Sequence, residues 1–174
     1  MAQHEAAGMK GGPLVVRPRP IRTGEEAMVY ALIDRCYREY GIALNLNDPI
    51  EAHLHDPGAH FRAEGGNFWV LCDERGVVRA TCALRLDRSG AQVGAELKSM
   101  YVDLPWRRRG VGRAMTQWVI DRARAAGARE LVLWSDTRFE SAHRMYESLG
   151  FVRGEVRDID DSYNSREWRY TLGL

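Results

Sequence analysis

The stretch Tyr101–Arg113 reads YVDLPWRRRGVGR. A β-prone run, Leu97–Val102, stops at Pro105. Three arginines follow, and Gly110 and Gly112 then open a segment with helical periodicity. Glycines let a backbone approach a ligand closely. The first N–H groups of a helix have no partner inside it. Those donors, with the positive end of the helix dipole, hold phosphate. The order strand, turn, helix therefore predicts an anion pocket and a phosphorylated cofactor to fill it.

The flanking sequence supplies the frame. Upstream, Gly94–Asp103 is the strand that feeds the turn. Asn67–Asp73 and Val77–Asp87, separated by Glu74-Arg-Gly76, read as a hairpin. Thr23-Gly-Glu-Glu26 reads as a capping box opening a helix to about Tyr40, with Ala27, Met28, Ala31, Leu32 and Cys36 as its apolar stripe. Gly41–Asp48 is a loop, and Pro49–His55 gives one or two helical turns ended by Pro57-Gly58. Pro18 and Pro20 restrict Leu14–Ile21 to an extended edge, and residues 1–13 are Gly-rich, polar and loose.

Downstream, Val111, Met115, Trp118, Val119 and Ala123 recur at helical spacing to about Ala126, and Gly127 ends the helix. Glu130–Ser135 is a short apolar strand. Thr137-Arg-Phe-Glu140 is a second capping-box pattern. Ala142, Met145, Tyr146 and Leu149 share one face of the next helix, closed by Gly150. Gly154–Asp158 and Glu167–Leu172 are two last strands around the polar loop Asp158–Ser165. The alternation of strands and helices predicts a mixed sheet covered by helices. Its parallel contact lies between Gly94–Asp103 and Glu130–Ser135, joined by a right-handed crossover.

Composition narrows the classes. With 174 residues one domain is expected, covering 14–174, and 45% hydrophobic residues suffice for a core. A formal net charge of +1 argues against nucleic-acid binding through bulk charge. No apolar run approaches a membrane span, and the N-terminus lacks the apolar core of a signal peptide, so a cytoplasmic protein is expected. Cys36, Cys72 and Cys82 are an odd number without metal-ligand spacing and read as reduced thiols. His53, His55, His60 and Glu51 fit no tight ligand set. They read as a solvated helix face, and no metal is expected.

Two motifs carry the chemistry together: Arg107-x-x-Gly110-x-Gly112, and Ala142-x-x-x-Tyr146-x-x-x-Gly150-Phe151 after an apolar strand. In the stretches ELKSMYVDLPWRRRGVGRAM and ELVLWSDTRFESAHRMYESLGF the sequence resembles the GNAT superfamily of acyl-CoA-dependent N-acetyltransferases. The resemblance is good over Ala95–Phe151 and holds only in outline over the first 65 residues. It implies an α/β (α+β) fold: a mostly antiparallel twisted sheet of six to seven strands, helices on both faces, and a parallel central splay. It implies acetyl-CoA as co-substrate. Backbone groups of Met100, Tyr101 and Val102 would pair with the pantetheine arm, as an added strand does. The pyrophosphate would lie on the amides of Arg108, Arg109, Gly110, Val111, Gly112 and Arg113, beside Arg107.

The implied reaction is direct attack of a neutral primary amine, from a small molecule or a peptide, on the thioester. No cysteine with a histidine partner suggests a covalent acyl-enzyme. The reaction needs a base, oxyanion donors and an acid for the thiolate. Tyr146 matches the family's frequent acid and equally suits a core position. The strand amide near Met100 is a natural oxyanion donor. For the base, Glu96 lies on the central strand, where period-two alternation gives it one face with Lys98, Met100 and Val102. The alternative is Asp136, which would equally cap the next helix.

Two family positions depart here. Trp134 stands where many relatives have a carboxylate, and Phe139 where an asparagine often helps bind CoA. Tyr37 and Tyr40 are candidates for the acceptor side. Asp158, Asp160 and Asp161 would suit a cationic amine, whereas Arg138 would suit an acceptor carboxylate. A non-catalytic CoA-binding sensor or scaffold is the main rival reading, and a nucleic-acid-binding module the weaker one. Dimers are common in the family, so a homodimer is one expected assembly.

Overall fold

The computed structural model describes residues 17–174. The expectations for residues 1–13, and for the first part of Leu14–Ile21, lie outside the described residues. The strands are β1 (Arg19–Pro20), β2 (Asn67–Cys72), β3 (Val78–Asp87), β4 (Gly94–Val102), β5 (Glu130–Asp136), β6 (Val152–Asp158) and β7 (Arg166–Gly173). They form one seven-stranded sheet in the order β1-β2-β3-β4-β5-β7-β6. Among the described residues, β4 and β5 make the parallel pair and the other neighbours are antiparallel. This is the mixed sheet that the sequence predicts.

Helices α1 (Glu26–Arg38) and α2 (Pro57–Ala63) close one face, and α3 (Val111–Ala125) and α4 (Glu140–Ser148) close the other. Alternation along the strands divides the core. Cys82, Leu84, Ala95, Leu97, Leu131 and Leu133 pack with Val111, Met115, Val119 and Ile120 of α3. Phe68, Val70 and Ala83 pack on the opposite side with Val29, Leu32, Ile33 and Phe61. Burying each such large side chain contributes about 1.5–3 kcal/mol. These two apolar layers therefore hold the sheet rigid under the loops at its ends.

Several local expectations are corrected. Pro57-Gly58 does not end a helix but begins α2, with Asp56 Oδ1 accepting from Ala59 N–H at 2.8 Å and Pro57 at the first position. An Asp-Pro pair serves a helix start as readily as a stop. The segment Pro49–Leu54 is a 3₁₀ helix. Neither capping box forms at its threonine. Before α1, the Glu26 carboxylate takes the N–H of Gly24 at 2.8 Å. Before α4, Phe139 is the cap residue and caps with no side-chain bond.

One correction governs the site. The β3–β4 register shifts between Lys98↔Ala83 and Tyr101↔Thr81, with Ser99 at φ +50°. This is a bulge, and an extra residue in a strand inverts the alternation beyond it. Glu96 therefore does not share a face with Met100 and Val102. Met100 and Val102 join Ala95 and Leu97 on the α3 side, while Tyr101 turns toward α1.

Candidate active site

β4 and β5 pair through Glu96↔Val132 and Leu97↔Leu133, and no further. Beyond Leu97 the bulge carries β4 away while β5 runs straight to Asp136, so the sheet opens as a wedge. Two neighbouring spaces occupy that wedge and share Met100, Tyr101, Phe139 and Ala142 in their walls.

The first is an apolar crevice of about 290 Å³ lined by Met100–Val102, the turn Arg107–Arg113, Cys36 and Tyr40 of α1, and Phe139, Ala142 and Met145 at the start of α4. The turn is shaped by two left-handed residues, Arg108 at φ +60° and Gly110 at φ +80°. Through this conformation the consecutive N–H groups of Arg108–Arg113 bond no other described residue, and the first helical bond is Ala114 N–H to Gly110 O at 2.9 Å. A row of unsatisfied donors at a helix N-terminus is an anion site. Gly112 gives α4 room, since Met145 would have to shift by a few tenths of an ångström to admit a side chain there. A Cβ there would lie 3.1 Å from Met145 Sδ.

The arginines divide the labour. Arg107 is turned inward: its Nε donates to Val102 O at 2.8 Å and its two terminal nitrogens to Glu39 at 2.7 Å each. It fixes the turn to α1 rather than reaching outward. Arg108 and Arg113 line the crevice, and Arg113 also donates to Ser148 Oγ. Arg109 is exposed and belongs to the turn. Phe139 stacks against Tyr40 with ring centroids 4.8 Å apart, joining α1 to the start of α4 across the crevice.

The second space, about 110 Å³, lies farther into the wedge. Leu97–Tyr101, Leu133–Asp136, Ala142 and Tyr146 form one side. Tyr37, Ile50 and Glu51 form another, and Asp161, Tyr163, Ser165 and Glu167 close it. Tyr146 is 4% exposed, and its hydroxyl has no hydrogen-bond partner among the described residues. Burial pushes the phenol well up, so it keeps its proton at neutral pH. A protonated, unengaged phenol is a proton donor in waiting. Buried His143 secures the helix that carries it, through Ser135 Oγ at 3.2 Å and Asp136 O at 3.0 Å.

The expected carboxylates are placed differently from one another. Glu96 lies outside both spaces, in a surface recess with Arg85, Asp87, Val132 and Trp134. It faces Arg85 Nη1 at 3.4 Å and Lys98 Nζ at 3.6 Å. Asp136 does line the inner space, but Arg138 wraps it. The N–H and Nε of Arg138 each donate to Asp136 Oδ1 at 2.8 Å, and Nη2 takes Oδ2. This pairing also occupies the guanidinium expected to meet an acceptor carboxylate. Trp134 faces the open side of β5, with Arg157 3.8 Å above its ring.

Glu51 is the residue that sequence reading missed. It is not on a solvated face but 5% exposed. Its Oε1 accepts from Tyr37 OH at 2.9 Å, and that hydroxyl lies 3.1 Å from Tyr101 OH. The loop before β7 covers it. Tyr163 packs edge-on to Tyr37 at 5.5 Å, and Ser162 N–H donates to Asp48 Oδ2 at 2.7 Å. His53, on the same 3₁₀ helix, bonds Ser99 Oγ at the bulge at 3.2 Å, and burial lowers its pKa to about 4. The sequence held one signal, Asp48-Pro49 as a helix start, but not the long-range closure. Among the described residues no cluster of metal-ligating side chains occurs.

Comparison with known proteins defines the class. The profile of the acetyltransferase (GNAT) family matches residues 27–151. The chain belongs to that family. It is 28% identical to human N-acetyltransferase 8 over 118 residues, covering 67% of this chain and 49% of that protein. It is 32% identical to Danio rerio N-acetylaspartate synthetase over 100 residues, covering 57% and 34%. The chain thus spans half or less of the length of these curated relatives. An acetyltransferase from Streptococcus agalactiae shares the fold, with a TM-score of 0.75 and 21% identity over 91% of this chain and 98% of that one. So does yncA of Salmonella typhimurium, solved with its cofactor acetyl-CoA, with a TM-score of 0.65 and 18% identity over 92% and 94%. Among the described residues no helix is long and apolar enough to cross a membrane.

Proposed function

We propose that this protein, through residues 14–174, transfers the acetyl group of acetyl-CoA to a primary amine of a small molecule or peptide in a ternary complex. The observation that carries the reading is that the two spaces of the wedge share their walls. Free main-chain donors of Arg108–Arg113 lie at one end, and the unengaged hydroxyl of Tyr146 lies at the other. A diphosphate suits the first. The apolar walls between them, Met100, Val102, Val111 and Met145, suit the pantetheine arm. The bulge in β4 supports the pairing of that arm with main-chain groups of Met100, Tyr101 and Val102. Of these, the Val102 carbonyl is already taken by Arg107.

Tyr146 then supplies the proton that the leaving thiolate needs, and the amide near Met100 faces the developing oxyanion. The N-acetyltransferase relatives, by name, support nitrogen as the acceptor atom. The enclosed inner space favours a slender amine, and the Arg138–Asp136 pair weighs against recognition of an acceptor carboxylate by Arg138.

The test has two steps. Thermal unfolding with saturating CoA is expected to rise by several degrees, as it does for any ligand held by the folded state alone. Thiol release from acetyl-CoA is then followed across a panel of primary amines: a diamine, an aromatic amine, an amino acid and a short peptide. Stabilisation by CoA without thiol release from any amine would make the protein a CoA-binding sensor. Absence of stabilisation would remove the cofactor assignment altogether.

A further inference from the structure

The acceptor arrives as an ammonium, and a carboxylate must take one of its protons before nitrogen can attack. Of five carboxylates, four are excluded by their place, their partners or their burial. Glu96 is outside the wedge against Arg85 and Lys98. Asp136 is enclosed by Arg138. Glu167 is held by Arg157, whose Nη2 lies 2.6 Å from Oε2. Asp161 gives Oδ1 to the N–H groups of Tyr163 and Ser165, and its Oδ2 is buried with no surface for an acceptor to touch. Glu51 remains. It lines the inner space with Tyr146, and its side-chain oxygen accepts from the Tyr37 phenol, not from a cation.

We infer that Glu51 is the general base of the proposed acetyl transfer, held in register by the Tyr101–Tyr37 hydroxyl pair. The inference rests on reading the wedge as the site of that transfer. Tyr37, on α1, donates to the carboxylate, and its hydroxyl meets that of Tyr101, on β4, so the position of Glu51 is tied through Tyr37 to α1 and the sheet and not only to its own short helix.

The protons balance. The acceptor R-NH3+ gives one proton to Glu51, and the N–H electron pair stays on nitrogen. Nitrogen attacks the thioester carbon and forms the C–N bond. The intermediate collapses, and the C–S electron pair leaves on sulfur. The thiolate takes the Tyr146 proton, and the phenolate recovers one from the still-charged amide nitrogen. Glu51 then returns its proton to solvent. The sum is amide, CoA thiol and one released proton.

The surroundings suit a base. Burial raises the Glu51 pKa, and Asp48 on its own helix and Asp161 in the covering loop push it the same way. The phenols of Tyr37, which donates to it, and of nearby Tyr163 pull it down. Among the described residues no cation pairs with it, so the carboxylate is not locked in its charged form. Activity is accordingly expected to rise with pH through the titration of Glu51, because only the unprotonated form accepts a proton.

The test is the pH profile of kcat/KM between about pH 5 and 10, with the best amine of the panel, for the wild type, Glu51→Gln, Glu51→Asp and Tyr37→Phe. Glu51→Gln is expected to lose about a hundredfold or more in kcat/KM near neutral pH and to lose the acidic limb. Its stabilisation by CoA is retained, and its amine KM changes little. Glu51→Asp restores part of the rate and keeps a limb. Tyr37→Phe removes a bond that favours the carboxylate, so its acidic limb moves to higher pH.

An acidic limb unchanged in both Glu51→Gln and Tyr37→Phe overturns the assignment while leaving the transferase reading intact. If Glu51→Gln fails to fold, an unmoved limb in Tyr37→Phe overturns it by itself. A wild type that binds CoA but acetylates no amine overturns this assignment and the proposed function together.

Discussion

The two ends of the wedge are built in opposite ways. The proposed cofactor end is nearly continuous in sequence, since Met100 through Arg113 supplies its floor and its donors, and Tyr40, Phe139 and Met145 only roof it. The proposed acceptor end is assembled from four distant pieces: Tyr37, Glu51, the Ser99 bulge with the end of β5, and the stretch from Asp161 into the start of β7 at Glu167. A backbone site of this kind depends on φ/ψ values and glycines, so it tolerates side-chain change. A side-chain site depends on tertiary closure and can be rebuilt without touching the cofactor. The same partition suggests how one fold takes one donor and many acceptors.

The comparison can be broken at the acceptor end with a single atom. Tyr146→Phe removes a hydroxyl that no described residue bonds. Turnover is expected to fall about a hundredfold. Stability should change by less than about 0.5 kcal/mol, because no buried partner is orphaned. Steady-state kinetics and thermal unfolding check this together. Equal loss of stability and activity would return Tyr146 to a purely packing role.

At the cofactor end the sharpest change is Gly110→Val. Gly110 sits at φ +80°, ψ 0°, where a β-branched residue is strained by at least about 1–2 kcal/mol. The donors of Arg108–Arg113 lose their aim. CoA affinity by calorimetry is expected to drop about tenfold or more, with every amine affected equally. A smaller effect is expected at the roof. Phe139→Ala forfeits the contact with Tyr40, worth about 0.5–1.5 kcal/mol, and should weaken CoA binding accordingly without altering the ranking of amines.

The smallest effects are expected where the sequence suggested large ones. Glu96→Gln should leave kcat within about twofold and stability within about 0.5 kcal/mol, as for a partly exposed ion pair. Arg138→Ala should leave the ratio of rates for carboxylate-bearing and plain amines within about twofold, because its guanidinium is spent on Asp136. A collapse of turnover in the first, or of that ratio in the second, would restore the simpler sequence assignment.

This contrast also explains what the sequence disclosed. The strand, turn and helix around Gly110 are local, and their chemistry is written in residue order, so the turn with its free main-chain donors and the parallel β4–β5 contact were legible. The bulge was not. Nothing in ELKSMYV marks Ser99 for a positive φ, yet that one residue inverts the faces of β4 and moves Met100 away from the Glu96 side. Glu51 was hidden for a related reason. Its burial depends on Tyr163 and Ser162, more than 100 positions along the chain, folding back over Asn45 and Asp48. A local polar pattern with His53 and His55 gives no sign of such a cover. The reading of Pro57-Gly58 as a stop failed differently, because a proline can follow the end of a helix or open one.

The central claim is that the main-chain donors of Arg108–Arg113 hold a diphosphate and so direct the thioester into the wedge. Calorimetric titration with CoA and with pantetheine, which carries the arm but no phosphate, tests it most directly. CoA is expected to bind about a hundredfold or more tightly than pantetheine, with the difference largely lost in Gly110→Val. Equal affinity for the two, or a preference for CoA that survives Gly110→Val unchanged, would contradict the account.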